Sequence, residues 1–226
     1  MKEFVAKIKS WNPVKRKAMI LVVAVIIAVC LLLLIGYEIW MVSIAGQAAT
    51  WDMISNTERC LRELYGNSTQ TELKAWLPDA QMNFTDGLIW ESQLLTYTEN
   101  RPQYQNVVQV LQNGKGACGE FVWVFGAFCV AKNIPFRVVT LGYFVPNIVD
   151  HVWAQVNPSH DGTTWIHVEV TDSCTRLKEG SAIEQLWNVT INNNDYYTER
   201  HYRMVLAFEL NQNGEIVITD VTATFS

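Results

Sequence analysis

Residues 18–37 read AMILVVAVIIAVCLLLLIGY, 20 positions without a charge, and no other feature constrains the chain as tightly. An α-helix of that length rises about 30 Å, the thickness of a bilayer's hydrocarbon core. Lys2, Lys7, Lys9, Lys15, Arg16 and Lys17 precede the run against the single acid Glu3, whereas 11 basic and 21 acidic residues follow it. Basic flanks stay in the cytoplasm, so the expectation is a single-pass membrane protein with its N-terminus cytoplasmic and its bulk extracytoplasmic. A cleaved signal peptide is the alternative, because Ser43-Ile44-Ala45 and Gly46-Gln47-Ala48 are small enough to be cut. The apolar region of a signal usually runs about 7–15 residues, shorter than this one. The expected organisation is a basic cytoplasmic stub 1–17, a transmembrane helix 18–37, a juxtamembrane linker 38–50 and one domain, 51–226. Within that domain a helical part (51–100) precedes a core (101–176) and closing strands (177–226).

The body is long enough to bury a sizeable core. Its acidity argues against a nucleic-acid partner, which calls for a basic patch. Five cysteines, Cys30 among them inside the apolar run, do not make a disulfide-stapled scaffold, and whether Cys60 and Cys174 pair is open. No CxxC, HxxxH or HExxH pattern occurs, so no metal or other cofactor is expected.

Hydrophobic periodicity predicts a helix over Trp51–Tyr65, shorter helices over Glu72–Leu77 and Leu88–Tyr97, and a buried helix over Gly119–Lys132 that Asn133-Ile134-Pro135 ends. The pattern then changes to strands: Phe136–Leu141, Val152–Val156, Trp165–Val170, Tyr202–Leu210 and Glu215–Val221. Asn211-Gln212-Asn213-Gly214 joins the last two as a hairpin. A helical half feeding an antiparallel sheet makes the class α+β.

Three short stretches carry the chemistry. Asn113-Gly114-Lys115-Gly116 turns the chain onto Cys118 at the start of the buried helix; His151 follows 33 residues later and Glu169 another 18 beyond. A thiol attacks a carbonyl well only as the thiolate. A helix N-terminus and an imidazolium both favour that form, and the Cys118 backbone N–H is a ready oxyanion donor. His151 can then return the proton to a leaving amine. Strand alternation puts His167 and Glu169 on one face, which makes Glu169 the expected orienting acid, with Asp172 as the alternative. Gly116 and Gly119 are expected to leave room for a substrate carbonyl. His167 is expected to pack or hydrogen-bond beside the site, and His160 and His201 to lie outside it.

Gly114-Lys115-Gly116-Ala117-Cys118-Gly119-Glu120-Phe121, Asp150-His151-Val152-Trp153 and Trp165-Ile166-His167-Val168-Glu169, in this order, resemble the nucleophile, histidine and acid segments of transglutaminase-like cysteine enzymes, and within them the peptide N-glycanase branch. Val205-Leu206-Ala207-Phe208 resembles the closing strands, so the likeness covers roughly residues 101–222. It implies a papain-like core with Cys118 as nucleophile, His151 as general base and acid, and the acid as orienting group. It departs from the family in Glu169, where an aspartate is usual, in lacking paired CxxC zinc motifs, and in carrying an apolar N-terminal run. The implied function is a membrane-anchored thiol hydrolase cleaving an amide bond in a peptide, protein or glycoprotein through an acyl-enzyme. A protein-crosslinking transglutaminase and a non-catalytic scaffold of the same fold are the alternatives.

Overall fold

The computed structural model describes residues 12–100, 103–141, 151–193, 205–211 and 213–225, and of residues 16 and 42–50 the backbone only. The chain falls into two compact units, residues 1–46 and 47–226. The first helix, α1 (Pro13–Leu64), begins in the first unit. Its stretch Pro13–Met41 is long and apolar enough to cross a bilayer, a property it shares with signal sequences at the same position. The helix is continuous through residues 38–50, where the sequence suggested a linker. The local reason is plain: no proline lies between Pro13 and Pro78, and Glu38, Met41, Ala45, Gln47 and Ala48 all favour helix.

The second unit is a helical layer on an antiparallel sheet. After α1 come α2 (Asn67–Leu73), α3 (Phe84–Leu94), β1 (Thr96–Tyr97), α4 (Val107–Asn113), β2 (Lys115–Gly116) and α5 (Cys118–Ala131). They are followed by β3 (Phe136–Leu141), β4 (Val152–Val156), β5 (Ile166–Val168), α6 (Val170–Lys178), β6 (Val205–Leu210) and β7 (Ile216–Asp220). Five strands form one sheet in the order β5-β4-β3-β6-β7, every neighbour antiparallel. Residues 142–150 and 201–204, which include the start of the expected Tyr202–Leu210 strand and His201, lie outside the described residues.

Several elements begin or end differently from the sequence expectation; the helix expected over Glu72–Leu77, for one, lies at Asn67–Leu73. The expected helix Leu88–Tyr97 starts earlier, at Phe84, because Asn83 caps it: its Oδ1 accepts from the backbone N–H groups of Thr85 (2.9 Å) and Asp86 (3.0 Å). The expected strand Trp165–Val170 stops at Val168, and Glu169 stands at the junction with α6. Asp172 and Cys174 therefore lie on a helix rather than on a strand extension.

Helix α5 is the centre of the unit. Every residue from Phe121 to Cys129 is buried, as befits a helix apolar on all sides. Gly126 makes this possible on one side, since a Cβ there would sit 2.8 Å from both Leu64 and Phe136. The even-numbered strand residues Val138, Ala154, Val156, Val168, Leu206 and Phe208 join the main core with the helices. Alternation turns Val139, Leu141, Trp153, Val205 and Ala207 to the other face, where with Val221 they make a second, smaller core. The described cysteines are all free thiols, Cys60 and Cys174 included.

One polar group stands out in the main core. Glu91 on α3 is fully buried, and neither carboxylate oxygen has a hydrogen-bond partner. Burial raises its pKa well above the ordinary value of 4.5, so the folded protein holds a proton that the unfolded chain sheds above that pH. The contribution of Glu91 to stability is accordingly greatest in acid and falls as pH rises past 4.5. Glu91→Met is expected to raise stability at pH 8 by about 1–3 kcal/mol and to flatten that decline. Thermal denaturation of the full chain in detergent at pH 5 and pH 8 checks this; parallel profiles for variant and wild type would refute it.

Candidate active site

The turn before Cys118 is held from three directions. Gly114 takes a left-handed conformation (φ 67°) to close α4, and its carbonyl accepts from Thr96 N–H at 2.9 Å. Gly116 O accepts from Thr98 N–H at 2.8 Å, and Tyr104 donates its hydroxyl to Lys115 O at 2.8 Å. Glu120 reaches back to accept from Ala117 N–H at 2.9 Å. A Cβ on Gly116 would lie 2.5 Å from Glu120 Cβ, so that glycine serves the cap rather than an incoming substrate, whereas Gly119 faces open space. Cys118 thus opens α5, half-buried, at the end where unpaired N–H groups face outward.

The acid comes from the far side of β4. Register pairs Ala154 with Val168 and Gln155 with His167, so His151, Trp153, Gln155, His167 and Glu169 share one face. Across that face His151 Nε2 meets Glu169 Oε2 at 2.6 Å. Glu169 is almost fully buried, and its backbone is fixed by Glu169 N–H to Thr190 O (2.8 Å) and Ser173 N–H to Glu169 O (2.9 Å). Asp172, the alternative acid, turns away and pairs with Arg176 at 3.1 Å. His151 and Cys118 line one cleft, and the thiol is among the groups that raise the imidazole pKa.

Burial alone would lower the His151 pKa, but its hydrogen bonds to Cys118 and Glu169, and their charges, outweigh it and raise the value from 6.5 to about 10. The imidazole is therefore held as its cation at neutral pH. Burial pushes the Cys60 thiol up to about 11, and those of Cys129 and Cys174 well above the ordinary 9.0. Among the described residues no group of three or more His, Cys, Asp and Glu could hold a metal ion.

Cys118 and His151 open onto a cleft of about 650 Å³. The C-terminal part of α1 forms one wall, with Asp52, Asn56 and Arg59 lining it at helical spacing. Arg59 lies over the Trp123 ring, 5.6 Å from its centroid, and Trp123 Nε1 donates to Glu63 at 2.9 Å. Sequence reasoning missed this wall, giving no role to Asp52, Asn56 or Arg59. The signal was there in their i, i+4, i+7 spacing opposite the apolar stripe.

The model of the transglutaminase-like superfamily core matches residues 88–170, which take in both Cys118 and Glu169. The chain is 32% identical over 87 residues to the peptide-N(4)-(N-acetyl-beta-glucosaminyl)asparagine amidase of Yarrowia lipolytica, covering 38% of this chain and 19% of that protein. With the Arabidopsis thaliana enzyme of the same name it shares 26% over 105 residues, 46% of this chain and 13% of that one. The chain thus spans a fifth or less of the curated relatives it matches. Among solved structures it resembles Rad4-Rad23 bound to a 6-4 photoproduct UV lesion, with a TM-score of 0.56 at 10% identity over 84% of this chain and 50% of that one. The match to the transglutaminase-like superfamily model thus falls within a unit of mixed α and β structure.

The Rad4-Rad23 likeness corrects one expectation. The acidity of the body was read as excluding nucleic acid, yet the fold is shared with a chain seen bound to DNA. Net charge speaks to non-specific association and not to what a fold can accommodate, so that exclusion does not stand.

The raised His151 pKa has a consequence for stability. A group held charged in the folded state stabilises it fully below its unfolded value of 6.5, and the contribution fades as pH rises from there to about 10. Melting temperature should therefore fall between pH 6.5 and pH 10. Glu169→Gln should shrink that slope, and Asp172→Asn should leave it unchanged; equal slopes for all three proteins would show that the pair is not formed.

Proposed function

We propose that residues 51–226 form a thiol-dependent amide hydrolase with Cys118 as nucleophile, His151 as general acid and base, and Glu169 as the group that orients and charges the imidazole. The observation that carries this reading is the His151 imidazole, 2.6 Å from the buried Glu169 carboxylate and sharing one cleft with Cys118 at the N-terminus of α5. The transglutaminase-like family match and the two glycopeptide amidase relatives support amide carbonyl chemistry.

In the proposed reaction the Cys118 thiolate adds to the carbonyl carbon, and the new oxyanion is met by the Cys118 backbone N–H. Collapse of this intermediate breaks the C–N bond, and His151 gives its proton to the departing amine. The thioester left on Cys118 is opened by water, whose proton returns to His151, and the carboxylic acid product leaves. The length of Glu169 does not count against it, because its carboxylate reaches the ring. The substrate class is a peptide, protein or glycoprotein amide. The proposed setting is a membrane anchor at residues 18–37 with residues 1–17 cytoplasmic and the domain extracytoplasmic, supported by the apolar helix and its basic flank. Opening of the same thioester by an amine would make the protein a crosslinking transglutaminase, a reading that the family match favours equally.

The test begins with the thiol. Iodoacetamide labelling of Cys118 in the detergent-solubilised full chain, followed by mass spectrometry of its peptide, should show a fast rate persisting at pH 6. His151→Ala should lower that rate on the order of 10- to 100-fold. An ordinary thiol profile unaffected by His151→Ala would sink the catalytic reading. Turnover then separates the acceptors: release of free carboxylate from peptide and glycopeptide amides marks a hydrolase, and incorporation of a labelled primary amine marks a transferase.

A further inference from the structure

The face of the sheet that carries His151 and Glu169 continues past them in the same pattern. His151 on the β4 side reaches diagonally to Glu169 on the β5 side. Two residues further along, Trp153 reaches diagonally to His167, its Nε1 donating to Nδ1 at 3.4 Å. Gln155, directly opposite His167, places its amide nitrogen 2.9 Å and 3.0 Å from the two ring nitrogens. Its Oε1 accepts from Arg137 Nε on β3, and the Arg137 guanidinium lies 4.0 Å from the centroid of the Trp165 ring. Cross-strand neighbours at these offsets are within reach of long and aromatic side chains, so the stripe is a connected structure.

Trp153 joins the stripe to the reacting imidazole. It is fully buried, its ring is packed in the second core with Val139, Leu141, Val205, Ala207 and Val221, and its indole lies against His151 with centroids 6.0 Å apart and planes 23° from parallel. The ring is thus held by packing on its apolar surface and by His167 at its only polar atom. His167 is suited to that task because burial first, and Arg137 second, lower its pKa from 6.5 to about 4, leaving a neutral ring able to accept a hydrogen bond.

We infer that Trp153 and His167 are positioning residues: the His167-anchored indole is the platform that fixes the plane of the His151 imidazole so that its two nitrogens face Cys118 and Glu169 together. Without the platform, His151 would keep Glu169 on one side yet be free to tilt about that bond. A tilt of the ring spoils its alignment with the thiol, and catalytic geometry tolerates only small angular error. Gln155 and Arg137 act one step further out, keeping the His167 ring in place.

The inference rests on the reading of Cys118 and His151 as a working pair, and the test separates the two. The full chain in detergent is labelled with iodoacetamide from pH 5 to pH 9, the Cys118 peptide is quantified by mass spectrometry, and each variant is checked by its thermal melt. Trp153→Phe keeps an aromatic ring and removes the Nε1 donor. It is expected to retain a cooperative melt and to lower Cys118 labelling at pH 6 by about tenfold. His167→Leu is expected to do the same, and His167→Gln, whose amide oxygen can accept from Trp153, to restore most of the rate. Should Trp153→Phe fail to fold, the Leu and Gln variants at position 167 decide the matter between themselves. A wild-type profile that depends on His151 and is unchanged in Trp153→Phe, or equal in His167→Leu and His167→Gln, would overturn the platform and leave the proposed function standing. A wild-type profile indifferent to His151 would overturn both.

Discussion

The structure depends first on the enclosure of one helix. A segment as apolar as Phe121–Cys129 has no face to offer water, so α1, α3, α4, α6 and the sheet must surround it. Its ends cannot be enclosed in the same way, because the first N–H groups of a helix have no partners within it. The N-terminus therefore opens onto the cleft, and whatever residue begins the helix gains a half-exposed position, a local excess of positive potential and a rigid mount. Cys118 occupies that place. The tight turn before it, the β1–β2 pairing and the Glu120 cap all follow from the need to bring an exposed chain into a buried helix without leaving polar backbone unpaired.

The sheet supplies the rest of the site through its two faces. Residues of even number on β3, β4, β5 and β6 fill the main core, and that burial sets the register firmly, since a slip by one residue would exchange the faces. With the register fixed, odd-numbered residues gather on the opposite face in a predictable order. His151 and Glu169 become diagonal neighbours for the same reason that Val138 and Ala154 are core partners. The His151–Glu169 contact is thus a by-product of hydrophobic register, refined by the hydrogen bonds that hold the Glu169 backbone to Thr190.

This explains which parts were legible in the sequence. Alternation alone located β3, β4, β6 and β7, and the break at Pro135 and the hairpin at Asn213-Gly214 bounded them. It also favoured Glu169 over Asp172, which the structure sets on a helix against Arg176. What could not be read was anything that depends on how elements meet. The cleft wall of Asp52, Asn56 and Arg59 looks like a solvated helix face until the helix is placed beside Cys118. Helix α1 runs on where a linker was expected, because nothing local stops it. The burial of Glu91 reflects packing from α5 and α6 that periodicity cannot register. Gly116 looked like room for substrate and proved to be room for Glu120.

The likeness to a DNA-bound chain and the likeness to glycopeptide amidases pull in different directions only if fold is taken to fix function. At 10% identity the first concerns the arrangement of helices and strands, which many unrelated sequences can fill. The second extends over 87 and 105 residues at 32% and 26% identity, and so concerns sequence as well as fold. A chain that needed only the fold could replace Cys118 with alanine or serine and His151 with any residue that tolerates the strand end. This chain keeps a thiol at the helix start, keeps an imidazole against it, and buries a carboxylate behind that ring. Burial of Glu169 is favourable only with a charged or donating partner. His151 is that partner, which ties the stability of the junction between β5 and α6 to the same pair of residues proposed for the chemistry.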